Sequence, residues 1–379
     1  MPARAYLDWN ATSPLRLEAA EAMTAALSVA GNPSSVHAEG RAARRLVEDA
    51  RAQVAAAVGA GIESVVFTSG GTEANALALT CGWSLAGKPC ARLLISAIEH
   101  PSVLAGGRFA ASDIAHIPVT SDGVVDLDKL RALLASGGPA LVSIMLANNE
   151  TGALQPISEA ARLVHEAGGV LHVDAVQALG RVALDAAALG ADLMTLSAHK
   201  IGGPKGVGAM VIANAALHLP TALIRGGGQE RNRRAGTENV AGIAGFGASA
   251  RAASANMADE TARMGRLRQR LEAGLAQIEG VTIFAAAVPR LPNTTLFARA
   301  GVRAETAVIA FDLEGVAVSS GAACSSGKVQ PSHVLAAMGV GKELSQGAIR
   351  LSSGYATTEG DIDRTLEAWR MLAGVLRRA

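Results

Sequence analysis

From about residue 60 to 212, short runs rich in β-branched and aliphatic residues alternate with helical stretches, and this alternation constrains the chain most. The strand candidates are Val65–Ser69, Leu93–Ala97, Leu141–Ala147, Leu171–Asp174, Leu193–Ser197 and Val207–Ile212. Several are apolar almost throughout, as strands covered on both faces must be. Helical stretches between them, such as 72–86 and 156–167, suit crossover connections, so the expectation is a largely parallel sheet flanked by helices. Ala-rich stretches 19–30 and 42–58 carry helical spacing with Arg and Glu partners.

A long helical region over about 239–279 follows. After it come Thr294–Ala298, helix 303–312, Val316–Val318, the Ser/Gly-rich stretch 319–327, Ala348–Ser352 and a last helix over 358–377. The expected organisation is α/β: a large, mostly parallel sheet domain over 13–250, and a smaller α+β domain made of 1–12 and 251–379. A chain of 379 residues is long enough for such a pair.

Near-neutral charge, 34 basic against 33 acidic residues, offers no broad field for nucleic acid or anionic lipid. With aromatics at 3%, a base-stacking groove is not expected. The first residues lack the pattern of a secretion signal, and no apolar run approaches the roughly 18–20 residues of a membrane span. Three cysteines, Cys81, Cys90 and Cys324, without CxxC spacing argue against a disulfide framework or zinc cage. A reducing cytoplasm is the expected home, with neither nucleic acid nor membrane as partner.

Polar groups gather at strand ends. Gly70-Gly71-Thr72-Glu73 follows one strand and opens a helix, a corner that either binds an anion on free backbone N–H groups or simply turns and caps the chain. Asp174 ends another strand, where it serves either as a helix cap or as the partner of a cationic ring nitrogen. His100 and the cluster Asn148-Asn149-Glu150 lie at two further strand ends. Ser197-Ala198-His199-Lys200 follows a fifth. Lysine is scarce, with only six among the 34 basic residues, and Lys200 sits in an uncharged, Gly-rich setting, whereas Lys205 reads as a solvated loop lysine. A desolvated lysine loses its proton readily and forms an imine with an aldehyde. Convergence of these groups favours a ligand site at that end of the sheet.

Cys324 lies between Ser319-Ser320-Gly321-Ala322-Ala323 and Ser325-Ser326-Gly327-Lys328, small residues that suit a mobile, exposed loop, where a free thiol is either a reactive nucleophile or an accident. Cys81 shares helical spacing with Ala74, Leu77, Ala78 and Leu85 and reads as core; Cys90 reads as structural. Arg350, a charge inside an apolar strand, either clamps a carboxylate ligand or pairs with a protein carboxylate. The run Arg231-Asn232-Arg233-Arg234 reads as a solvated or interface loop.

Together these stretches resemble the cysteine desulfurases of the class V aminotransferase family, which are fold-type I pyridoxal-phosphate enzymes. The match runs in order from Tyr6-Leu7-Asp8 and Gly31-Asn32-Pro33-Ser34-Ser35 through Thr68–Glu73, Glu99-His100, Asn148–Glu150 and His172–Gln177. It continues through His199-Lys200, Arg234–Asn239 and Ser319–Ser326. The resemblance implies that Lys200 holds pyridoxal 5'-phosphate covalently and moves protons, and that Asp174 keeps the pyridine nitrogen protonated. It implies that Gln177 bonds the phenolic oxygen beside Asn149, and that His100 stacks on the ring. Gly71, Thr72, Ser197 and His199 would hold the phosphate, with Thr237 from a second subunit of a homodimer. Arg350, with Asn32, would bind the carboxylate of L-cysteine, and Cys324 would take its sulfur as a persulfide. The long Ser319–Lys328 loop resembles the branch that passes sulfur to iron–sulfur scaffold proteins. No intrinsic metal is implied, apart from a cluster shared transiently through Cys324 with such a scaffold. The competing readings are a plain aminotransferase, a selenocysteine lyase, or a non-catalytic scaffold with a vestigial site.

Overall fold

The computed structural model describes residues 4–85, 87–321 and 331–376. Its largest element is a seven-stranded sheet. In spatial order the strands are Val65–Thr68, Gly208–Ile212, Leu193–Ser197, Val170–Asp174, Ala140–Met145, Arg92–Ser96 and Ile114–Ile117. Gly208–Ile212 runs antiparallel to both its neighbours and all other pairings are parallel. The mostly parallel sheet expected from the sequence is therefore present. Edge strand Ile114–Ile117 was not expected: only Ile117 in it is buried, so it lacks the apolar run that marks the others.

Successive side chains of a strand point to opposite faces. Accordingly Leu93 and Ile95 join one apolar cluster with Leu77, Val103 and Met210, while Leu94 joins the other with Val142, Leu171 and Phe246. Burial on both faces explains why these strands read as continuous apolar runs.

Helix Gly71–Ala78 is shorter than the expected 72–86. The indole of Trp83 donates to the Ala78 carbonyl at 2.7 Å, and Gly82 adopts φ +96°, so the chain turns away. Cys81 is consequently exposed rather than core, a correction to its helical spacing; Cys90 is buried. The hairpin Ser84–Leu85 with Lys88–Pro89 occupies the rest of that stretch.

The expected helical region 239–279 is two helices, Val240–Ala255 and Met257–Ala276, separated at Asn256. The first sends Ile243, Phe246 and Ala250 into the large core. The second sends Leu267, Leu271 and Leu275 into a separate core around Phe297, Phe311 and Trp369. This smaller core backs an antiparallel sheet of Val281–Ile283, Thr294–Arg299, Ile349–Ser352 and Ser319–Ser320. Ala5 and Leu7 are buried in it, and Ala5–Tyr6 pairs parallel with Val316–Ala317.

One loop is held by a buried ion pair. Arg51 donates to both carboxylate oxygens of Glu230 at 2.7 and 2.8 Å, and the Phe67 N–H donates to the same carboxylate at 2.8 Å. Glu230, Arg231 and Asn232 all have positive φ (47°, 58° and 65°), a strained run that such an anchor can hold. Removing one partner of a buried pair leaves an uncompensated charge. Glu230→Ala should therefore cost about 3–5 kcal/mol in denaturant unfolding, against well under 1 kcal/mol for an exposed pair such as Arg162–Glu166.

Candidate active site

Because the strands run parallel, their C-terminal ends fall along one edge of the sheet, where ligands sit in open α/β folds. Asp174 and Ser197 close two strands, Lys200 ends the single turn Ala198–Lys200, and His100 caps helix Pro101–Leu104. These residues, with Gly71, Thr72, Asn149, Gln177 and His199, face one cavity of about 950 Å³. The smaller sheet closes the other side with Arg350, Ser319 and Ser320, and helix Ala304–Leu313 adds Glu305, Val308 and Ile309. The cavity thus lies between the two cores.

The corner before helix Gly71–Ala78 depends on glycine. Gly70 has φ +154° and ψ 177°, a region open essentially to glycine alone. A Cβ on Gly208 would lie 2.5 Å from the Gly70 carbonyl carbon, so the neighbouring strand must also be bare there. The helix N-terminus, with Ser197, His199 and Lys205, opens onto an adjoining space of about 420 Å³.

Lys200 donates from Nζ to the carbonyls of Asn10 at 2.6 Å and Ala11 at 2.8 Å. Burial first, then the cations Arg350 and Arg181, push its amine down to about 7. The neutral amine is thus available near neutral pH. Trace acylation of the ligand-free protein should label Lys200 with a midpoint near pH 7, against about 10.4 for an ordinary lysine. Arg350→Leu removes a nearby cation and should raise that midpoint. A Lys200 midpoint in the ordinary range would overturn this assignment.

Asp174 is held at both oxygens. Asn75 Nδ2 donates to Oδ2 at 2.9 Å and the Val176 N–H donates to Oδ1 at 3.0 Å. The second bond is a local cap of the turn that follows, the first of the two roles weighed for Asp174, and the carboxylate also lines the cavity.

Arg350 donates to Asp8 Oδ1 at 2.8 Å and to the Asn149 carbonyl at 3.1 Å, while its buried Nε has no partner. The protein carboxylate expected as one alternative is Asp8, and the guanidinium still lines the cavity. Gln177 donates to the Asn10 carbonyl at 3.0 Å and accepts from the buried Arg181, so both its polar atoms are engaged within the chain. His100 Nδ1 accepts from the Ser102 N–H at 3.2 Å. His199 Nδ1 lies 3.2 Å from Thr12 Oγ1, and burial, with Lys200 and Lys205, pushes its ring down to about 4.

Two expected residues stand apart from this cavity. Asn32 is exposed and its Oδ1 accepts from the Ser34 N–H at 2.9 Å, stabilising its own turn. Thr237 is exposed beyond the loop in which Arg234 pairs with Glu73 at 2.8 Å. Cys324 lies outside the described residues.

Sequence reasoning passed over Asn10 and Asn75. Asn75 stands one turn after Thr72 on the buried face of an Ala/Leu helix, and that polar break in an apolar face was its signal. Asn10 is buried where residues 8–13 cross between the cores. Its Nδ2 donates to Thr294 Oγ1 at 2.9 Å and to the Asn149 carbonyl at 3.2 Å, its Oδ1 accepts from Asn293, and its N–H donates to Ser352 Oγ. Nothing in its local spacing announces those partners.

Residues 5–365 match the aminotransferase class-V family. A protein of Dictyoglomus turgidum named cysteine desulfurase IscS is 42% identical over 100% of this chain and 96% of its own. A cysteine desulfurase of Cereibacter sphaeroides is 44% identical over 99% of this chain and 97% of its own. Among solved structures, a NifS-like protein from Rickettsia africae superposes with a TM-score of 0.89 at 38% identity, covering 97% of this chain and 99% of that one. With the pattern matched over nearly its whole length, the chain belongs to the class-V aminotransferase family.

Proposed function

We propose that this protein is a pyridoxal-phosphate-dependent cysteine desulfurase, converting L-cysteine to L-alanine and leaving the sulfur as a persulfide on Cys324. The observation that carries the reading is a lysine held near neutrality, an oriented carboxylate and an arginine around one cavity, in a chain whose full-length relatives are named cysteine desulfurases.

The residues present fit the cofactor. A volume of about 950 Å³ is at the upper end of ordinary ligand sites. At Gly71 a Cβ would press on Val176 at 3.2 Å and Ser197 at 3.3 Å, so the anion corner is bare backbone. Helix N–H groups, Thr72, Ser197 and His199 would hold the phosphate there, and Thr237 would join them from a second copy in a homodimer. Asp174 would accept the ring N–H, with Gln177 and Asn149 toward the opposite ring edge and His100 over the face. When bound, pyridoxal phosphate supplies an aldehyde for imine exchange and an electron-withdrawing ring that stabilises negative charge at Cα.

The chain supplies the rest. Arg350 binds the substrate carboxylate with its fork, and the Asp8 and Asn149 contacts fix the fork's direction. Asn32 would be a second contact to that carboxylate. Lys200, neutral above about pH 7, takes and returns the proton at Cα. The Cys324 thiolate attacks the substrate sulfur, an S–S bond forms as the C–S bond breaks, the bonding pair stays on Cβ, which takes a proton, and alanine leaves. A soft, low-charge nucleophile is the right group for sulfur.

Small Ser and Gly residues around Cys324 favour delivery of that sulfur to another protein, for which an iron–sulfur scaffold is the proposed acceptor. Among the described residues no helix is long and apolar enough to cross a membrane; the cytoplasm is the proposed setting. The deciding experiment incubates the holoenzyme with L-cysteine and measures alanine and protein-bound sulfur. Equal yields of the two are expected. A keto acid in place of alanine would make it an ordinary aminotransferase.

A further inference from the structure

Beneath the cavity a line of buried polar side chains crosses the sheet from Ser143 to Asp174. Ser143 Oγ lies 2.8 Å from His172 Nδ1, and His172 Nε2 lies 3.1 Å from Thr195 Oγ1. Thr195 Oγ1 lies 2.6 Å from Asn75 Oδ1, and Asn75 Nδ2 lies 2.9 Å from Asp174 Oδ2. Ser143, His172, Thr195 and Asn75 are buried, on three adjacent strands and one helix, in a sheet whose other interior positions are overwhelmingly apolar.

The direction of every bond follows from the last one. A carboxylate only accepts, so Asn75 must turn its amide N–H towards Asp174 and its Oδ1 towards Thr195. The other Asn75 N–H has a use as well, since it donates to Ser102 Oγ at 2.9 Å. Thr195 must then spend its single hydroxyl proton on Asn75. It has none left for His172, so His172 Nε2 carries the hydrogen and donates to Thr195. His172 Nδ1 is thereby the acceptor, and Ser143 donates to it. Burial pushes the His172 ring down to about 4, which suits a neutral imidazole with one N–H. All four donors point the same way, and hydrogen bonds aligned in series polarise one another.

We infer that Ser143, His172, Thr195 and Asn75 form a one-way positioning relay that fixes the Asp174 carboxylate towards the cavity, with His172 locked in the Nε2–H tautomer. It rests on the reading of Asp174 as the partner of a ring nitrogen. Ser143, His172 and Thr195 lie off the cavity lining and Asn75 is on it beside Asp174; their work is to keep one carboxylate oxygen occupied and its plane fixed. Asn75 also reaches Ser102, whose Oγ lies 2.8 Å from His100 Nδ1, so the relay ends beside a second cavity residue.

The test has two arms on the holoenzyme. In the first, selective 15N-histidine labelling reads the His172 ring, identified by its loss in His172→Gln. A neutral Nε2–H ring unchanged between pH 6 and 8 is expected; an Nδ1–H ring or an imidazolium there overturns the inference. In the second, Thr195→Val removes the central hydroxyl at constant shape, and Thr195→Ser restores it. Thr195→Val should shift the visible cofactor band and lower kcat about tenfold or more with KM within about twofold, while Thr195→Ser stays near the parent. If Thr195→Val loses only Tm and keeps band and kcat, the line is merely structural and the inference fails. Should Thr195→Val not fold, the tautomer in the parent protein decides. Tautomer and band are read without substrate, so absent alanine formation would sink the desulfurase reading and leave this inference standing.

Discussion

Lys200→Ala should lose turnover by roughly 10⁴-fold or more, because in the proposed mechanism one side chain supplies both the covalent hold and the proton transfer. Among the described residues no other lysine lines the main cavity, and Lys205 reaches only the adjoining space beside the helix N-terminus. Little else should change. Nζ bonds to two carbonyls of a segment that is otherwise tied down by Asn10 and by Ser13 Oγ, which donates to the Lys200 carbonyl at 2.8 Å. A circular-dichroism spectrum and melting temperature near the parent's are therefore expected beside the dead activity. Borohydride reduction of the parent holoenzyme and peptide mapping should place the pyridoxyl group on Lys200. A label on Lys205 would show that the wrong lysine has been assigned.

Cys324→Ser separates binding from sulfur transfer. A hydroxyl is a far poorer nucleophile towards sulfur and cannot carry a persulfide. The variant should bind cofactor as the parent does and should still change its spectrum on adding cysteine, since Arg350 and Lys200 are untouched. Alanine formation should fall by at least about a hundredfold, and mass spectrometry should find no added sulfur on the protein. Cys90→Ala, in the apolar cluster with Trp83 and Leu93, should keep activity and lose about 1 kcal/mol of stability. Exposed Cys81 should tolerate alanine without cost. Parent-rate alanine production by Cys324→Ser would point instead to a thiol-independent lyase.

The sheet was legible because a strand buried on both faces has to be written in apolar residues, and Leu141, Val142 and Ile144 are written that way. Strand ends were legible for the complementary reason: Asp174 and Lys200 interrupt apolar runs where a parallel sheet collects its ligands. Edge strand Ile114–Ile117 carries one solvated face and a histidine, His116, so no such run marked it. Helix Gly71–Ala78 was overextended because an indole eleven residues beyond Thr72 ends it, and a capping partner leaves no periodic trace. The same limit hid Asn10. Its six contacts join residues far apart in the chain, and spacing reports only neighbours. The pairing of Arg350 with Asp8, 342 positions away, was one of two roles the sequence left open, and only coordinates could name that partner.

That pairing has a consequence for synthesis. Residues 8–13 leave the ribosome more than three hundred positions ahead of Arg350 and Ser352, yet they meet both in the finished site. At roughly 5–20 residues per second, the crossing segment waits tens of seconds for its partners. The large sheet, ending at Ile212, is complete long before that, so a nascent chain can own a folded sheet and an unfinished catalytic centre. On the proposed roles, a truncated chain that stops short of residue 350 would have no carboxylate clamp to hold an amino acid in reach of Lys200. Chain completion itself would then be the last licence for chemistry.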